Sequence, residues 1–287
     1  MKSAVTQTWY RIALARPDGP AALVSAQGAH LGAAIGAAEA HLAGAYAVAA
    51  EVATDQAPLG ESVGKSHIVD LGAAGEVPTF HWPMGILPAL GSTGTLVGAR
   101  RGWIRHADRE LFVVEAQTEA DHLVDLFLGM IEKIPSADNL EIRVLDHFEG
   151  AGKTEVWLTS RVNAKKILGF LDDYDVEVLG NGHLEVSVYI RKHKATLRLT
   201  EHKTVVWIAD DDALADEVAG WLKELAIPRV DALTRVADAP HFHYRPAKSK
   251  DRKNLGKELF RQRLRRVDTI VPGPAPARAA GSRDTAE

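Results

Sequence analysis

The chain has no cysteine in 287 residues. That excludes thiolate catalysis, disulfide staples, iron–sulfur clusters and cysteine-ligated zinc. A long apolar run is also missing. The Ala-rich segment 21–53 is interrupted by Gln27, His30, Glu39, His41 and Glu51, and no stretch reaches the roughly 18 apolar residues of a membrane-spanning helix. Residues 1–25 do not read as a signal peptide, because Arg11 and Arg16 break any apolar core. A cytoplasmic location is the expectation. Neither sign of charge dominates, with 34 Lys+Arg against 38 Asp+Glu and a net charge of −4. With 46% hydrophobic and 25% charged residues, wholesale disorder and collagen-like repeats are excluded.

What is present reads as an α+β protein with a mainly antiparallel sheet and packed helices. Residues 1–54 form an N-terminal β-α-β unit, from a strand at 6–16, a helix at 28–43 and a strand at 45–53. Gly28, Gly32 and Gly36 fall four apart on one helix face and permit close packing. Residues 55–110 are rich in Gly and Pro and read as an irregular connection. Its apolar stretch, Phe80 to Leu90, is expected to pack on a domain surface. Residues 111–232 form the core domain. Strands are expected at 111–116, 140–148, 154–162 and 176–179, then a meander through 184–191, 194–200 and 203–209. Amphipathic helices follow Thr118, Asn163 and the acidic run Asp210 to Asp212. A ferredoxin-like unit fits 111–179.

Several motifs are incomplete. Gly60-Glu61-Ser62-Val63-Gly64 matches the nucleophile elbow, with Ser62 as candidate nucleophile, but lacks the strand before and helix after it. Gly64-Lys65-Ser66 and Gly152-Lys153-Thr154 resemble the end of a phosphate loop, but Leu59 and His147 stand where its first glycine belongs. His241-Phe242-His243 puts two imidazoles on one side of an extended segment, and Asp146, His147 and Glu149 form a polar cluster. Two ligands fall short of a zinc site. No metal site, cofactor or catalytic constellation is assigned.

One feature stands out from the background. Residues 243–267 carry ten basic residues, Arg245, Lys248, Lys250, Arg252, Lys253, Lys257, Arg261, Arg263, Arg265 and Arg266, against Asp251 and Glu258. The net +8 leaves −12 on the rest of a chain that totals −4, so an acidic body bears a basic C-terminal arm. Phe260, Leu264, Val267 and Val271 add an apolar stripe, and an amphipathic helix over 251–267 is expected. The arm spans 233–271, and a disordered tail is expected at 272–287. The arm can fold back on the acidic body, meet nucleic acid, or meet an anionic membrane or a protein groove. The sequence reading is a non-catalytic binding or adaptor protein whose ten basic residues dock on an acidic macromolecule, with nucleic acid first and a protein complex also open. The alternatives are a serine-type hydrolase using Ser62, and a protein-binding regulator or inhibitor acting through the acidic body.

Overall fold

The computed structural model describes residues 7–17, 19–53, 62–63, 66–77, 79–107, 110–134 and 136–271, and for residues 62, 63 and 66 the backbone alone. The chain opens with two antiparallel strands, β1 (Thr8–Ala15) and β2 (Ala22–Gly28), followed by helix α1 (Leu31–His41) and strand β3 (Tyr46–Val52). Two more strands, β4 (Ser62–Val63) and β5 (Ser66–Ala73), complete a five-stranded sheet in the order β3-β1-β2-β5-β4. The β-α-β reading therefore lacked β2. Its sequence, Ala-Leu-Val-Ser-Ala-Gln-Gly, is short and rich in small residues, a weak strand signature. Small residues suit it because α1 lies close over the sheet, with Leu31, Ala34, Ile35 and Ala38 buried. Gly32 lets the chain at Arg245 cross α1. A Cβ there would sit 1.9 Å from the Arg245 carbonyl oxygen.

Strand β6 (Ile86–Pro88) leads into the larger half. It consists of β7 (Gly102–His106), β8 (Phe112–Gln117), α2 (Leu123–Lys133), β9 (Asn139–Val144), β10 (Thr154–Leu158), α3 (Ala164–Asp173), β11 (Leu184–Ile190), β12 (Ala195–Leu199), β13 (Val205–Ala209) and α4 (Ala215–Glu224). Strand β14 (His241–His243) then pairs with β6 as a two-stranded ribbon, and α5 (Arg252–Arg261) and β15 (Arg265–Ile270) end the fold. The large antiparallel sheet runs β15-β10-β9-β11-β12-β13-β8-β7. The architecture is α+β with antiparallel sheets and packed helices. Among the described residues no helix is long and apolar enough to cross a membrane.

On β11 the alternation is plain. Leu184, Val186, Val188 and Ile190 are fully buried against Phe127, Ile131, Leu171 and Leu222 of the helices. The opposite face carries Glu141, Glu185, Tyr189 and Glu115, half-buried or buried, so it is polar without being bare.

Three local expectations are corrected. Residues 176–179 form no strand, because they lie in a π-turn, Asp175–Leu179, closed by the Gly180 N–H on the Asp175 carbonyl. The 55–110 connection is not irregular throughout, since it supplies β5, β6, β7 and a 3-10 turn at Leu90–Leu96. Its apolar stretch is buried at Phe80, Trp82, Ile86 and Leu87. The helix expected over 251–267 stops at Arg261. Arg263 takes a left-handed φ of 67°, and the following residues pair with β10 as a strand.

Candidate metal centre

Five histidines converge where one end of the large sheet meets the β6–β14 ribbon. His147 follows β9, His183 precedes β11, and His202 stands between Glu201 and Lys203 in the β12–β13 turn. His241 and His243 alternate on β14, so both point to one side of it. Ring centroids lie 4.9 Å apart for His147–His183, 4.8 Å for His147–His243, 5.0 Å for His202–His241 and 5.1 Å for His202–His243.

A crossing of glycines holds these segments together. The Tyr244 N–H donates to the Gly85 carbonyl, and the Gly182 N–H donates to the Tyr244 carbonyl. A Cβ on Gly182 would sit 1.8 Å from the Gly85 oxygen, and Gly85 itself has a φ of 102°. Only a chain without side chains at both places can pass here.

Hydrogen bonds fix how the two β14 rings are protonated. The His241 Nδ1 lies 2.7 Å from the Ala239 carbonyl oxygen, and the His243 Nδ1 lies 2.8 Å from that of Gly182. A carbonyl only accepts, so both Nδ1 atoms carry hydrogen. The two Nε2 atoms then face each other 3.1 Å apart. In neutral rings both present lone pairs. A bridging hydrogen would require one ring to hold two protons. Burial and the neighbouring His147 and His202 oppose that at His243, whose pKa falls to about 3 even though the Gly182 carbonyl favours the charged form. Either a hydrogen carried by His241 or a bound cation relieves the confrontation. Two imidazoles on one tetrahedral zinc ion bring their nitrogens to about 3.4 Å, given zinc–nitrogen distances near 2.1 Å.

Ligand atoms of His202, His241 and His243 all lie within 4.8 Å of one another, as do those of His147, Glu201 and His243. Burial also lowers the pKa of His202, which favours the neutral, ligating form. The Glu201 carboxylate stands 3.9 Å from Nδ1 of both His147 and His202. Burial raises its pKa, and the neighbouring histidines only partly offset this.

Beneath the cluster Lys203 is fully buried, and its ammonium donates to the Asn181 carbonyl at 2.7 Å. Desolvation pulls its pKa down to about 7 against the attraction of Glu201 and Glu185. The Asn181 Nδ2 and the His183 Nδ1 are buried with no hydrogen-bond partner. His183 stacks on Phe148 at 4.7 Å and 7°.

The cluster is reachable from outside. His202 borders a 680 Å³ cleft over the polar face of the sheet, walled by Val113, Val206 and the Glu115–Arg235 pair. His183 and His243 border a smaller cavity of 290 Å³. Glu149 lines that cavity and also a 960 Å³ groove between α5 and β10.

The ten basic residues divide into three groups. Arg252 is spent internally, donating to the carbonyls of Leu145, Phe148, Val144 and Lys153, with Glu155 3.6 Å away. Arg245 donates to the Ser249 carbonyl at 2.6 Å, and Lys250 pairs with Glu177 at 3.6 Å. Lys253, Lys257, Arg261, Arg265 and Arg266 line the groove. Arg266 lies 3.8 Å from Glu155, and the Arg265 guanidinium covers the Phe260 ring at 4.6 Å. Lys248 and Arg263 are exposed outside it. Ser62 lies in β4, whose side chains fall outside the described residues.

Sequence reasoning found the His241–His243 pair and the Asp146–His147 cluster but not their union. No local signal marked His183 or Glu201-His202-Lys203 as part of it. The available signal was the placement of each histidine at a strand end or hairpin tip, where folding can gather distant segments. Compared with protein-family models, curated proteins and solved structures, the chain matches none.

Proposed function

We propose that the protein is a metal-dependent hydrolase. His202, His241 and His243 hold a divalent transition-metal ion, zinc by ligand chemistry. The observation that carries this reading is the meeting of two Nε2 lone pairs at 3.1 Å, each fixed by its own backbone carbonyl, beside a third imidazole. Three protein ligands leave a fourth position for water, the pattern of catalytic rather than structural zinc. A metal ion makes bound water acidic near neutral pH. Glu201 is the group placed to take the proton, since a carboxylate whose pKa burial has raised suits a general base. The cleft beside His202 and the cavity bordered by His243 both reach the cluster.

The test is metal content and affinity after chelator treatment and reloading with Zn²⁺ or Co²⁺. Wild-type protein takes up one tightly held ion, and its Co²⁺ form shows tetrahedral visible bands. His241→Ala combined with His243→Ala abolishes both. A wild-type protein that returns metal-free from Zn²⁺ and Co²⁺ overturns the reading.

The groove favours a second reading, in which the basic segment docks on nucleic acid. Arg261, Arg265 and Arg266 supply phosphate contacts there. Arg245, Lys250 and Arg252 are withdrawn from that role by their internal bonds. Binding to a labelled oligonucleotide across salt tests it. Affinity falls steeply as salt rises, and Lys253→Glu with Arg261→Glu flattens that slope. Salt-independent or absent binding overturns it.

A further inference from the structure

One loop joins the groove to the metal centre. Residues 146–153 carry His147 at the cluster, then Glu149, Ala151 and Lys153 in the groove wall. Arg252, on the groove helix α5, grips this loop and its approaches through the carbonyls of Leu145, Phe148 and Lys153. Glu149 is common to the groove and to the cavity bordered by His243. Groove and histidine cluster are thus linked by one loop and by one shared lining residue, Glu149. Its lining combines Lys153, Lys253, Lys257, Arg261, Arg265 and Arg266 with two aromatic rings, the exposed Phe260 and the largely buried Trp157. Cations along a groove with an exposed ring suit a single strand, in which phosphates meet charge and bases stack.

The geometry points to single-stranded nucleic acid as the substrate of the metal centre, held in the groove with one phosphodiester delivered past Glu149 to the ion. This rests on the hydrolase reading. In the step, the ion-held water gives its proton to Glu201 and its oxygen bonds to phosphorus. The bond from phosphorus to the leaving sugar oxygen breaks, the electron pair stays on that oxygen, and it takes the proton back from Glu201. Water is the only co-reactant, and nothing is oxidised or reduced.

The experiment uses the full chain reloaded with Zn²⁺, Co²⁺ or Mn²⁺ and single-stranded DNA and RNA of about 16 nucleotides, the upper end of a one-domain footprint. Metal content, strand affinity and cleavage are read separately. The expected result is cleavage by the loaded protein that a chelator stops. His241→Ala with His243→Ala holds no metal and leaves the strand intact. Lys253→Glu with Lys257→Glu and Arg261→Glu keeps its metal but loses affinity at least tenfold. Uptake of metal without strand binding, or with binding but no cleavage of DNA or RNA, overturns the inference and leaves the hydrolase reading standing. Strand binding by a protein that takes up no metal instead removes the hydrolase reading itself.

Discussion

At the scale of single residues, Gly182 and Glu115 expose two different constraints. Gly182→Ala places a methyl group 1.8 Å from a backbone oxygen, which no side-chain rotation relieves. The β14 strand must move, and the His243 Nδ1 then loses the Gly182 carbonyl that orients it. The expected cost is about 3 kcal/mol of stability, read by urea unfolding, together with at least tenfold weaker metal binding. A variant as stable as wild type shows that the crossing is not tight. Glu115 is nearly buried, with both carboxylate oxygens taken by Arg235 at 2.7 and 2.8 Å and one shared with His106 at 2.8 Å. Burial works against this carboxylate, but the Arg235 and His106 hydrogen bonds outweigh it and hold its pKa below 4.5. Its stabilisation is therefore complete above about pH 4.5 and lost as the pH falls through the depressed folded value. Glu115→Gln is expected to cost about 2 kcal/mol at neutral pH, and its urea midpoint should approach that of wild type in acid. A constant difference down to pH 3 removes this account. The sequence showed both residues without their partners: Arg235 is 120 positions from Glu115, and Gly182 meets Gly85 only because two loops cross. The same distance in sequence hid the histidine cluster, whose third candidate ligand, His202, comes from the β12–β13 turn, which no local pattern brings to β14.

At the scale of elements, the basic segment shows why hydrophobic spacing was read too far. An apolar stripe running on to Val271 fits a helix, but only the segment up to Arg261 is one. Leu255 and Leu259 are fully buried against the main core, and the Asp251 side chain caps the helix on Asn254 N–H at 2.7 Å. Beyond Arg261 the edge of the sheet competes for the chain. Pairing with β10 from Thr154↔Ile270 to Leu158↔Arg265 satisfies backbone groups that a solvated helix end would leave to water. Leu264 is buried at the turn between the two elements, whereas Phe260, grouped with it in the sequence reading, is 59% exposed. Leu259→Ala should therefore cost about 3 kcal/mol by cavity formation, and Phe260→Ala about 0.5 kcal/mol or less. Thermal and urea melts of the two variants check this, and equal costs sink the assignment of faces. The strong alternation of β11, the amphipathic α2 and the Asn163-capped, amphipathic α3 were legible because one dominant force, burial of one face, wrote their pattern. Strands β2 and β5 were not, since a sheet of small residues under a close helix carries little amphipathic contrast.

At the scale of the whole molecule, the histidine cluster sits on the joint between the two halves. The large sheet contributes His147, His183 and His202, and the ribbon contributes His241 and His243. The ribbon in turn packs Phe242, Leu87 and Tyr244 into the core of the five-stranded sheet, and Ala50 of β3 bridges to Ala89 at its end. On the proposed reading, an ion held by His202 from one side and the β14 pair from the other ties the halves together. Binding to the native state alone stabilises it by mass action, about 2.7 kcal/mol at a hundredfold excess over Kd. For a chain of this length that raises Tm by roughly 5 °C. Zn²⁺ should produce this shift in wild type and in Glu201→Gln, which keeps all three imidazoles, but not in His241→Ala with His243→Ala. Hydrogen exchange should slow most at Phe242 and Tyr244, whose amides face the ribbon partner and Gly85. A shift of equal size in the double variant places the ion elsewhere. Protection confined to the β12–β13 turn, with none on the ribbon, means that the ion binds one half only and that the halves are held by apolar packing alone.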